Sequence, residues 1–164
     1  MASLELDEQL AFQERQWRWE RIGWVVIALV VIAGLLGAFG TGPLASATVR
    51  SADDGLAVSY ERVVRHQGEA EFRLHIDPAL IPGGEVDVWF STSTVTAVRI
   101  ESVAPEPSEV EAGADRTTWT FTVDPSAGPV TIVFHVTPQE MGWRTVELGV
   151  AGGTSLSFHQ LVLP

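Results

Sequence analysis

"VTIVFHVT", residues 130–137, alternates Val130, Ile132, Phe134 and Val136 with Thr131, Val133, His135 and Thr137. A period of two sends one set of side chains to each face of a pleated strand, so the segment reads as a strand half-buried against a core. Its β-branched and aromatic residues suit that surface. The same alternation recurs where Phe72, Leu74 and Ile76 interleave with Arg73, His75 and Asp77. It recurs again where Trp119, Phe121 and Val123 interleave with Thr118, Thr120 and Thr122.

Working outward, turn signals punctuate these runs: Asp54-Gly55, Gln67-Gly68, Pro82-Gly83-Gly84, Gly113 to Asp115, Asp124 to Pro129 and Gly152-Gly153. Strands are predicted over 56–65, 70–77, 85–92, 95–104, 116–123, 129–137, 143–150 and 155–163. Seven or eight short strands with no helix between them predict a mainly β domain over 56–164, an immunoglobulin-like antiparallel β-sandwich. A small closed barrel is the competing architecture. The stretch "VAPEPSEVEAGAD" (103–115) reads as an acidic loop, and 45–55 as a linker.

Before the linker the pattern is different. From Ile22 to Val49 the chain carries no charge, between Arg21 and Arg50. Residues 22–44 would extend roughly 34 Å as a helix at about 1.5 Å per residue, enough to cross a bilayer core near 30 Å thick. Ala45-Ser46-Ala47 after Gly42-Pro43 could mark a cleavable secretory signal. Against that, the preceding 21 residues hold five acids, Glu5, Asp7, Glu8, Glu14 and Glu20, where a signal has a short basic start. A retained signal anchor with a single transmembrane helix over 22–44 is therefore expected. Arg15, Arg18 and Arg21 beside the run place the amino terminus in the cytoplasm and the carboxy-terminal domain outside, in the periplasm of a bacterium. Trp17, Trp19 and Trp24 suit the cytoplasmic membrane interface, and residues 1–21 read as an amphipathic segment, helical from Ser3.

Charge and composition remove several classes of function. Residues 51–164 hold six Arg, no Lys and sixteen Asp plus Glu, a net charge of −10, which repels nucleic acid and anionic lipid heads and makes both poor partners for this domain. With no Cys there is neither a disulfide framework nor a cysteine metal site. No Gly-x-Ser-x-Gly elbow, no Gly-rich phosphate loop and no Lys for a Schiff base is present, so no enzyme and no cofactor is expected. The uncharged run lacks the His, Asn, Gln or charged side chains that proton relays and haem ligation use.

What is left is contact chemistry. Ala33 with Gly37, and Gly34 with Ala38, form small-xxx-small pairs that let two membrane helices approach closely. Trp89, which alternates against Val88 and Phe90, and Trp143, just after a turn, are candidate protein-contact anchors. His75, His135 and His159 fall on outward positions of separate strands, and with Met141 they are the candidate ligands for a copper or zinc site. The expected function is a non-catalytic accessory subunit of a larger bacterial membrane complex, such as a transporter, respiratory or photosynthetic assembly. Its partners would be integral membrane subunits and the lipid bilayer. The alternative is a membrane-tethered periplasmic module that binds a ligand or metal.

Overall fold

The computed structural model describes Trp17, residues 19–32, Gly34, residues 45–124, Ser126, residues 128–153 and residues 155–164. The chain divides into two units, Met1–Leu44 and Ala45–Pro164.

The first unit contains a helix over 19–32, α1. At 14 residues it extends roughly 21 Å. Among the described residues no helix is long and apolar enough to cross a membrane. The transmembrane helix expected over 22–44 is therefore not found: the described residues are helical over 22–32 and at Gly34, and Ala33 and residues 35–44 lie outside the described residues. Apolar side chains occupy every face of α1, and from Trp24 through Val25, Ile27, Leu29 and Ile32 each is more than half exposed. The Arg21 guanidinium lies over the Trp17 ring, 3.8 Å from its centre, one turn away.

The second unit is a β-sandwich. One sheet has five strands in the order β1(Ser46–Arg50)-β2(Leu56–Glu61)-β4(Ala70–Ile76)-β9(Val130–Pro138)-β6(Val98–Ala104). The other has six, β3(Val63–Arg65)-β11(Ser155–Leu163)-β10(Gly142–Val150)-β5(Glu85–Ser91)-β8(Arg116–Thr122)-β7(Glu109–Ala112). All pairings are antiparallel except β3 with β11. The expected sandwich is present, but eleven strands and a parallel pair depart from the roughly seven to nine antiparallel strands of an immunoglobulin domain.

The alternating patterns do in space what they promise in sequence. Phe72, Leu74 and Ile76 of β4, Ile132 and Phe134 of β9 and Phe121 of β8 are completely buried. Seven aromatic rings knit the sheets together, among them Tyr60, stacked on Phe158 at 3.8 Å. Phe134 meets Phe90 at 4.8 Å, Trp119 at 5.5 Å and Phe121 at 6.2 Å, all near edge-to-face, the arrangement that ring quadrupoles favour. Phe72 reaches Phe90 and Phe158 at 6.2 and 5.7 Å.

Four elements differ from the sequence expectation. The strand expected over 56–65 is broken at Arg62 into β2 and β3, which belong to different sheets. Residues 46–50 form edge strand β1, where a linker was expected, and Ala45 is already buried. Residues 109–112 form edge strand β7 inside the expected acidic loop, pairing Glu109 with Thr120 and Glu111 with Thr118. Residues Thr92–Ala97 form a short helix, α2, at the start of the strand expected over 95–104. Four of its six residues are β-branched, a poor helical composition. Local capping and tertiary bonding override it. The Ser91 hydroxyl accepts from the Thr94 amide at 3.3 Å, and the buried Thr94 hydroxyl accepts from the Glu147 amide at 3.0 Å.

Phe134 sits at the junction of three ring contacts, so Phe134→Ala is expected to cost about 3–5 kcal/mol of stability. Urea unfolding followed by tryptophan fluorescence measures this; a loss under about 1 kcal/mol would mean the rings do not bridge the sheets as described.

Candidate functional site

Cross-strand register decides which chemical groups can meet. On the outer face of the five-stranded sheet, His135 stands opposite Glu71 on one side and Ser102 on the other, across β4, β9 and β6. A β-bulge between Ile100 and Ser102 sets the last of these pairings. Ser102, His135 and Glu71 thus lie in one row, which sequence alone could not show because only register creates it. No hydrogen bond joins them among the described residues, and Glu71 is instead bound to Arg73 at 2.7 Å. The row therefore lacks the nucleophile-to-base bond that would activate a hydroxyl.

His75 shares that face but is four residues along β4 from Glu71, hence about 13 Å from the level of His135. It contacts the Thr131 hydroxyl at 3.0 Å. His159 belongs to β11 in the other sheet and contacts the Thr145 hydroxyl at 3.1 Å. Met141 is exposed in the turn before β10. The candidate metal ligands are therefore distributed over two sheets and one turn. Among the described residues no group of three or more His, Asp or Glu is placed to hold a metal ion.

A cleft of about 800 Å³ opens beside His135, lined by Glu69, Arg99, Glu101, Ser102 and Gln139 among others. Its walls are polar and carry both charge signs, and no aromatic side chain lines it. On the same face, partial burial and then the neighbouring Glu71 carboxylate raise the pKa of Glu61.

The tryptophans separate into two kinds. Trp119 is core. Trp89 is half-buried on the outer face of the six-stranded sheet, with the Arg116 guanidinium 4.7 Å from its ring centre, so a cation already covers it. Trp143 is different: 76 % of its surface is exposed, the most of any large apolar side chain described in the chain. It faces outward on β10 directly opposite Leu161 of β11, which in turn pairs with Val63 of β3. Leu163, two residues beyond Leu161 on the same face, and the nearby Met141 are also exposed, at 43 % and 63 %. The structure thus turns one ambiguous tryptophan into an apolar patch on paired strands, assembled by the parallel β3–β11 pairing.

Of the remaining sequence candidates, Trp17, Trp19, Arg21 and Trp24 lie on α1 or at its start, with Trp17, Trp19 and Trp24 exposed. Gly34 is helical. Arg15, Arg18, Ala33, Gly37 and Ala38 lie outside the described residues.

The sign of the Glu61 effect can be checked. Its ordinary value is near 4.5, and the raised folded value means that the native state holds this proton more tightly than the unfolded chain. The stabilising contribution is present below the ordinary value and is lost as pH rises through the folded one. Glu61→Gln should therefore raise the urea midpoint relative to the parent at pH 7, with a smaller or reversed difference near about pH 4. An equal difference at both pH values would show that Glu61 is not perturbed.

No family model and no curated protein matches the chain. Among solved structures, the cohesin module from Clostridium perfringens ATCC13124 family 33 glycoside hydrolase matches with a TM-score of 0.44 at 10 % sequence identity, over 66 % of this chain and 96 % of that one. A likeness this slight carries no argument about this chain.

Proposed function

We propose that the chain is a non-catalytic, single-pass accessory subunit of a larger bacterial membrane complex, anchored through residues 22–44 with its sandwich outside the cytoplasm. The observation that carries this reading is the apolar exterior of α1, in which Trp24, Val25, Ile27, Leu29 and Ile32 are each more than half exposed. Apolar side chains on every face of α1 support burial of that helix in lipid or among partner helices.

Purification in mild detergent from native membranes is expected to bring down a multi-pass partner in stoichiometric amount. Replacing Gly34 and Gly37 by Leu should reduce its recovery. Recovery of the chain alone, with stoichiometric copper or zinc in the purified protein, would overturn the reading in favour of a metal-binding module.

A further inference from the structure

The Trp143 patch and the residue by which the chain enters the sandwich share one end of the fold. Arg62 connects them: its amide donates to the Ala45 carbonyl at 2.7 Å, and its carbonyl accepts from the Leu161 amide at 2.8 Å. Leu161 is the central apolar residue of the patch, with Trp143 on one side and Val63 on the other. Leu163 and Met141 extend the patch toward the same end.

The charges around it run against the rest of the domain. Residues 45–164 hold sixteen acids and seven Arg, yet two of those Arg, Arg62 and Arg65, flank the patch on and beside β3. Both are exposed and neither forms an ion pair among the described residues. Glu61 directly precedes Arg62, and Glu69 and Glu140 stand in the adjoining turns. An exposed indole, a thioether and two leucines beside two exposed guanidinium groups have the chemistry that suits a bilayer interface, where indoles sit at headgroup depth and arginine stems lie along apolar surface with their charge among phosphates.

We propose that this end of the sandwich is a second membrane contact, in which Trp143, Met141 and Leu163 enter the headgroup layer of the outer leaflet and Arg62 and Arg65 bind lipid phosphates. The proposal rests on the anchored reading above. The contact is made by lipid and requires no partner protein.

The chain has no cysteine, so single spin labels can be placed cleanly. The full chain would be reconstituted in vesicles of phosphatidylethanolamine and phosphatidylglycerol, carrying Met141→Cys, Ala151→Cys or Val30→Cys. Accessibility to lipid-soluble oxygen and to a water-soluble nickel chelate is then measured for each label. The expected result is oxygen-dominated relaxation at positions 30 and 141 and chelate-dominated relaxation at 151. Adding Trp143→Glu to Met141→Cys should return that label to water. A label at 141 that is aqueous while the one at 30 is in lipid would overturn the proposal and leave the anchor standing. A label at 141 shielded from both reagents would also overturn it, and would indicate protein contact. An aqueous label at 30 would overturn both the anchor and the contact that depends on it.

Discussion

The hydrogen bonds around Arg62 are the constraint on which the arrangement of this molecule depends. Between Glu61 and Val63 the chain leaves one sheet and joins the other, and such a crossing exposes backbone groups that neither ladder can pair. Here all are accounted for. The Arg62 amide donates to Ala45, the Arg62 carbonyl accepts from Leu161, and the Glu61 carbonyl accepts from the Gln160 side chain at 2.8 Å. This is why a glutamine stands, completely buried, in a row of Leu156, Phe158 and Val162. A buried amide is costly where it is unbonded: the Gln160 Nε2 closes the strand crossing, while its Oε1 is buried without a hydrogen-bond partner among the described residues.

The same closure has a consequence for function. Because Ala45 is the acceptor, the hydrogen-bonded sandwich begins there, one residue before edge strand β1. The crossing also brings Leu161, and with it Trp143, to that end of the sandwich. The first residue of the domain and its exposed tryptophan are thus tied to one strand crossing. The histidines follow a different logic. Register and sheet membership keep His75, His135 and His159 apart, two of them already engaged with threonine hydroxyls across neighbouring strands.

Much of the fold was legible in the sequence, and the parts that were not share a cause. Strands β4 and β9 each carry three or more alternating apolar residues and β8 carries two, Trp119 and Phe121, so their inward faces could be named in advance. Edge strands lack that signal because they bury little. In β7, "EVEA", two glutamates point outward beside Thr118 and Thr120 and even Val110 is 53 % exposed, so composition suggests a loop. Charged residues on an edge also discourage strand addition by another chain. In β1, "SATVR", small side chains continue the uncharged run and mask the start of the domain. Helix α2 defeats sequence reading for another reason, since its bonds to Ser91 and Glu147 outweigh its composition. The patch was half legible. Trp143 stood out after a turn, but Val63 and Leu161 lie almost a hundred residues apart, and only the parallel pairing of β3 with β11 brings them together.

The crossing at Arg62 closes the sandwich at its first residue, Ala45. Hydrogen–deuterium exchange at single amides tests it most directly, by comparing Arg62 with Phe134 of the core and with the exposed turn residue Ala52. The account predicts that the Arg62 amide exchanges about as slowly as that of Phe134, because opening it requires undoing the crossing. Exchange at Arg62 as fast as in the exposed turn, with Phe134 still protected, would contradict the account, because the crossing would then stand open without disturbing the core.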